Sequence, residues 1–427
     1  MRIVRKCGEQ WCPRLYFCSM YTHRFPTAIM FLVLMCTPVF AENHPDSCVP
    51  SDWFALQKKA EAGGASLLCK GIVDAGFEKR VQAEHELKRV IRLAPHSQDA
   101  SEARNALINM YFREGQYRKA LAQLDQELKE SPDAEDTKAV RSMFAVLAQF
   151  PDLKVASSKP STVPSETIDG NVFIHLIANG VAASYILDTG ANTSALCESE
   201  VHRLGLPIYK TTSKVTDING LPSAVRVTVV PDLWIGRTHL KNAAFSVFPD
   251  ENEPFVDLQK GYKGVLGIPV LVALGVFRID QDNRIEILPA STQKSTKIPI
   301  AFDGSNPVTQ MYLGERAMSF MLDSGASHTV LYPSFAVAFP ELLRSGSKQQ
   351  HKLTGLSGST EQESVSISSI RFSFGKNVVL APATVLLKPT LDASRWAYGN
   401  LGFDIQAQAL PLTVDFQSMQ LRVEDSR

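Results

Sequence analysis

Two kinds of apolar spacing divide this chain. From Ser51 to about Phe150, apolar residues recur three and four positions apart, as in Val81 to Leu93 and Ala103 to Phe112, the period of one face of an α-helix. Ser51-Asp52, ahead of Trp53-Phe54-Ala55-Leu56, supplies side-chain acceptors for the free N–H groups of a first helical turn. Gly76-Phe77 precedes an apolar series (Ala83, Leu87, Val90-Ile91) that stops at Pro95. Gly115-Gln116-Tyr117 precedes a second (Ala120-Leu121, Leu124, Leu128) that stops at Pro132. Further along the helical period disappears and short β-branched runs replace it: Val172-Phe173-Ile174, Val225 to Val230, Arg278 to Asp280 with Ile285 to Leu288, and Leu412 to Val414 with Leu421 to Val423. Between the two regimes, residues 153–170 are rich in Ser, Thr, Pro and Lys and read as a linker.

Composition adds exclusions. With 44% hydrophobic and 21% charged residues in 427, the chain can bury more than one core. Its 44 basic residues balance 44 acidic ones, so no global field favours nucleic acid or anionic lipid. The apolar run Ala28 to Met35 follows Arg2, Arg5, Lys6, Arg14 and Arg24 and leads to Val39-Phe40-Ala41, which predicts a secretory signal over residues 1–41, cleaved after Ala41, and a periplasmic or secreted protein. An uncleaved anchor needs about twenty apolar residues, more than this run holds. The long segment ahead of the run makes Met20 an alternative start, and Met35 argues against lipid attachment at Cys36. In an oxidising compartment Cys48 and Cys69 are placed to form a disulfide, while Cys197 reads as a small buried apolar residue. The cysteine spacing matches no zinc site, and no phosphate-binding glycine loop occurs.

The chemistry enters in duplicate. Tyr185-Ile186-Leu187-Asp188-Thr189-Gly190-Ala191 and Phe320-Met321-Leu322-Asp323-Ser324-Gly325-Ala326 are one motif written twice, 135 residues apart. The same interval recurs downstream, between Gly220-Leu221 and Gly355-Leu356, between Val265-Leu266-Gly267 and Asn400-Leu401-Gly402, and between Ile279-Asp280 and Val414-Asp415. Aspartates that merely bond their own turns would explain one copy, but neither the duplication nor the shared intervals.

On these motifs residues 165–425 resemble the retropepsin-like aspartic proteases of bacterial secreted or periplasmic proteins, with two lobes fused in one chain. The segment Ala106-Leu107-Ile108-Asn109-Met110-Tyr111 leading into Gly115-Gln116-Tyr117-Arg118-Lys119-Ala120-Leu121 resembles a tetratricopeptide helical hairpin, about two units of it, against the alternative of an ordinary helical bundle capping the rest. The expected fold is a helical tetratricopeptide-like domain (42–152), the linker (153–170), and two duplicated retropepsin-like β-barrel lobes (171–289 and 300–427) joined by a connector (290–299).

The resemblance implies that Asp188 and Asp323 are the catalytic pair and that Gly267 and Gly402 belong to segments supporting the loops from behind. Asn400, where an aliphatic residue is expected, weakens that support in the second copy. Two carboxylates held close cannot both ionise, so one proton is shared: the charged member polarises a water and the protonated member donates to the scissile carbonyl, as in aspartic proteases generally. Gly190 and Gly325 let backbone N–H groups approach the carboxylates, and the Thr189 and Ser324 hydroxyls can bond across a pseudo-twofold axis. Ala191 and Ala326 stand where a hydroxyl donor would lower the pair's pKa values, so the shared proton should persist to higher pH. Asn219-Gly220 and Gly355-Leu356 mark hairpin tips that the resemblance makes flaps over an extended peptide, although Asn-Gly is also simply a favourable hairpin turn. His175 and His328 read as packing or surface histidines. The reading is an aspartic endopeptidase acting as a single chain on peptide or protein substrates, needing no cofactor or metal, with the helical domain free to bind a protein partner. Its rival is a non-catalytic scaffold that binds peptide without cutting it.

Overall fold

The structure is a computed structural model that describes residues 48, 52–216, 222–256, 261–282, 284–289, 295–355, 358–375, 377–389 and 397–423. The signal segment and the tip residues Asn219, Gly220 and Leu356 lie outside the described residues.

Helical periodicity becomes six helices: α1 (Trp53–Glu61), α2 (Leu67–Gly76), α3 (Arg80–Leu93), α4 (Gln98–Arg113), α5 (Tyr117–Glu130) and α6 (Glu135–Leu147). Asp52 caps α1, its carboxylate accepting from the N–H groups of Phe54 at 2.9 Å and Ala55 at 3.3 Å. The faces carrying Leu87, Leu107, Tyr111, Tyr117, Ala120, Leu124 and Phe144 are buried together. Cys48 is disulfide-bonded to Cys69 in α2, with their Cα atoms 5.2 Å apart, and Cys197 is free and buried.

Each lobe repeats one strand plan. In the first, the strand Val181–Leu187 runs parallel to Gly264–Leu266, and Ser194–Cys197 runs parallel to Thr238–Phe248. In the second, Arg316–Leu322 runs parallel to Gly399–Leu401, and Val330–Leu331 to Asn377–Leu386. In both lobes the pairing path returns on itself through one further contact, Pro222–Ile235 with Thr238–Phe248 in the first and Asn306–Leu313 with Gly358–Phe374 in the second.

The lobes are joined by a six-stranded layer that continues the second lobe's sheet. Hairpin Val276–Ile279/Ile285–Leu288 of the first lobe pairs antiparallel with Leu412–Asp415 of the second, in the register Val276 to Asp415 and Ile279 to Leu412. The outer strands of this six-stranded layer are Ser161–Val163 on one side and Thr296–Asp303 on the other. The expected division therefore needs correction at two places. The segment 153–170 contains three strands, Lys154–Ser157 and Ser165–Ile168 paired with first-lobe strands Thr238–Phe248 and Asn171–Ala178, and Ser161–Val163 paired in the shared layer, and the connector contributes Thr296–Pro299 to that layer. Backbone groups that a linker would leave to solvent are here used in ladders, which anchor both ends of the first lobe.

Candidate active site

Asp188 and Asp323 each follow a strand whose last three residues are buried, Tyr185–Leu187 of Val181–Leu187 and Phe320–Leu322 of Arg316–Leu322, and each is fixed by a backbone bond from behind. The Asp188 N–H donates to Leu266 O and the Asp323 N–H to Leu401 O, both at 3.1 Å. The chain then turns, and each carboxylate closes its own loop. Asp188 Oδ1 accepts from the N–H groups of Gly190 at 2.8 Å and Ala191 at 3.1 Å; Asp323 Oδ1 accepts from those of Gly325 and Ala326, both at 3.0 Å.

The loops interlock. Thr189 Oγ1 donates to Leu322 O at 3.0 Å and accepts the Ser324 N–H at 2.9 Å, while Ser324 Oγ donates to Leu187 O at 2.8 Å and accepts the Thr189 N–H at 3.0 Å. These four bonds tie the two aspartate loops together across the lobes. A Cβ on Gly325 would fall 2.3 Å from Asp188 Cγ, so only glycine permits that approach.

Gly267 and Gly402 stand directly behind the loops. A Cβ on Gly267 would meet the Thr193 carbonyl at 2.5 Å, and one on Gly402 the His328 carbonyl carbon at 2.5 Å. Their N–H groups donate to Ser194 Oγ and Thr329 Oγ1, each at 3.0 Å. These two hydroxyls are absent from the site read in the sequence. They too lie 135 residues apart, so the interval carried the signal.

Burial raises both carboxyls. Asp188, 1% exposed, is pushed up to about 6 by loss of solvent, against the pull of the Gly190 N–H. Asp323, fully buried, is held well above the ordinary carboxylate range by burial and then by the charge of Asp188. Asn400 bears on the same carboxyl: its Nδ2 donates to Asp323 Oδ2 at 2.7 Å. Asn400 therefore does more than sit in the strand behind the second loop: it bonds the aspartate directly.

Around the pair, Gly355 ends the hairpin Ser347–Gly355/Gly358–Phe374, whose Leu353 packs with Met321, Tyr332, Leu386 and Ala397. Met321 lies two residues before Asp323, so this hairpin packs with the strand that delivers the second loop. In the first lobe Thr216 faces Pro222 across the corresponding hairpin. His175 and His328 are exposed. Among the described residues no group of three His, Cys, Asp or Glu gathers to hold a metal.

Two carboxyls sharing a buried, twofold-related site, each cradled by its own glycine loop, define an aspartic-protease type of centre. The chain matches the aspartyl protease family over residues 174–270 and again over 309–405, one match per lobe. Each lobe thus carries one copy of the region that the aspartyl protease family model describes. Among solved structures, a retropepsin-like aspartic protease from Rickettsia conorii is 21% identical, with 32% of this chain and 92% of that one covered and a TM-score of 0.23. Basic 7S globulin from soybean is 11% identical over 63% of this chain and 96% of that one, with a TM-score of 0.37. At these scores neither likeness adds to the family match. Comparison with curated proteins gave no match.

Proposed function

We propose that the protein is an aspartic endopeptidase that hydrolyses peptide bonds of extended protein substrates with Asp188 and Asp323 as its catalytic dyad. The observation that carries this reading is the reciprocal Thr189/Ser324 lock, which joins two intact half-sites from one chain. Asp188, the carboxyl that ionises first, accepts a proton from a water as the water attacks the scissile carbonyl; Asp323 donates its proton to the carbonyl oxygen. The tetrahedral gem-diol breaks its C–N bond as Asp188 returns its proton to the leaving nitrogen and a hydroxyl proton passes back to Asp323; because water is the nucleophile, no covalent enzyme intermediate forms. The hairpins offer strand edges to an extended peptide.

The test is cleavage of a diverse peptide library by the purified chain. Asp188→Asn and Asp323→Asn should each remove activity nearly completely, and the double variant should be no worse, since parts of one catalytic unit are not additive. Substantial residual cleavage in either single variant would show the half-sites acting independently, and peptide binding without cleavage in the wild type would make the protein a scaffold. The Cys48–Cys69 disulfide supports an oxidising, extracytoplasmic location. The mature chain should then begin at Glu42, and an uncleaved N-terminus in the cytosol would refute it.

A further inference from the structure

Gly264–Leu266 and Gly399–Leu401 pass behind the two aspartate loops in matched register, Val265 beside Ile186 and Asn400 beside Met321. Val265 is apolar and brings Asp188 no side-chain donor. Asn400 is only 3% exposed, and a carboxamide buried to that depth is costly unless its polar atoms are used. Its Oδ1 accepts no bond from the described residues, so the bond from Nδ2 to Asp323 Oδ2 is what offsets its burial. An aliphatic side chain would fill the position at lower cost, as Val265 does in the other lobe.

We propose that Asn400 is a positioning residue of the aspartate pair: its amide holds Asp323 by the oxygen turned away from the loop N–H groups and favours the ionised carboxylate. It supplies from the strand behind the loop a donor that Ala326 does not carry. The proposal rests on the protease reading for its kinetic consequence, and on the geometry alone for the titration of Asp323.

The sign follows from the partners. Burial and the charge of Asp188 keep the shared proton on Asp323, and the Asn400 N–H opposes both, so it lowers the pH at which that proton leaves. Ionisable groups on the surrounding elements include His328, exposed on the same loop; Asp404, tied to Thr329 Oγ1 at 2.7 Å and the Ile405 N–H at 2.9 Å; and His351 on the strand Ser347–Gly355. His351 is itself kept below its usual value by burial and then by His328. Among the described residues none of the three bonds either aspartate. An amide turned the other way, its oxygen accepting from a protonated Asp323, would have the opposite effect.

The test is carboxyl ¹³C NMR of the full chain labelled at aspartate, with the Asp323 signal assigned by its loss in Asp323→Asn. Asn400→Leu keeps the branched shape without polar atoms, and Asn400→Val places there the residue found at the matched position of the first lobe. In whichever variant folds, the Asp323 midpoint should rise by about one pH unit, the loss of one hydrogen bond to a charged group. The alkaline limb of kcat/KM should rise with it. An unchanged or lowered midpoint in a folded variant overturns the proposal. If the midpoint rises while the wild type cleaves no peptide, the protease reading fails and the positioning role stands.

Discussion

Thr189 and Ser324 differ by one methyl group yet make the same two bonds each, so the lock between lobes is set by a hydroxyl and a backbone N–H on either side. Thr189→Val keeps the volume and removes the hydroxyl, leaving the Leu322 carbonyl and the Ser324 N–H unpaired in a buried site. We expect a loss of roughly 2–4 kcal/mol in denaturant unfolding, with Thr189→Ser close to wild type. The carboxyls give a second expectation. Asp188 moves from 3.8 to about 6 on folding and Asp323 moves in the same direction. The folded state therefore binds protons that the unfolded state has released. Stability from this source is complete below the unfolded value and is lost as pH rises through about 6. The melting temperature should fall from pH 4 toward neutrality in the wild type and fall less in Asp323→Asn; an equal slope in both would refute it. At this scale the two four-residue Asp-Thr/Ser-Gly-Ala motifs were legible because their residue types are dictated by local geometry. Asn400 was not, because strand spacing does not say what its side chain touches.

At the scale of elements, the two hairpins differ in what lies behind them. Helix α6 packs along Tyr209–Thr216: Ser142 Oγ accepts the Thr212 N–H at 2.9 Å, and Phe150 meets Tyr209 edge-on with ring centres 5.4 Å apart. In Ser347–Gly355, by contrast, the first four residues are exposed. Amide exchange should therefore be slower in 209–216 than in 347–352, and Ser142→Ala should speed it at Thr212. Equal protection in the two strands would show that the helix does not restrain the first hairpin. The strand Ser161–Val163 is the instructive misreading. Lys159-Pro160-Ser161-Thr162-Val163-Pro164 has its counterpart 135 residues on in Lys294-Ser295-Thr296-Lys297-Ile298-Pro299. Both apolar residues are buried, Val163 fully and Ile298 to 4% exposure. A polar, proline-flanked segment resembles a linker because an edge strand needs only one face of apolar residues and tolerates proline at its ends.

For the whole molecule, the helical domain is packed into the protease lobes. The Arg113 side chain, 2% exposed, bonds Glu78 Oε1 at 2.8 Å and Ala75 O at 2.7 Å within the helices. It also donates to Gly304 O of the second lobe and lies 4.5 Å over the Phe302 ring. Trp53 and Phe54 pack with Ala301 and Val308 of the same lobe. Arg113→Met should cost about 3 kcal/mol, because Glu78 loses a buried partner and two carbonyls lose their donor. The same contacts predict that lobes cut free of residues 1–152 bind a hydrophobic dye and melt at lower temperature; unchanged melting would mean the domains are energetically independent.

What the sequence determined by itself was everything that repeats: helical period, strand period, and a 135-residue interval carrying aspartate, glycine and supporting segment together. Those features are local or are copied, and a copy is visible without knowing where it folds. The tertiary structure alone decided what meets what across long separations, namely the sheet shared between lobes, the helix against the first hairpin, and Asn400 on Asp323. Such contacts depend on which face of an element turns toward which neighbour. Spacing along one chain does not encode that, because the partner lies far away in sequence and nothing local distinguishes a buried amide that serves a carboxylate from one that merely fills space.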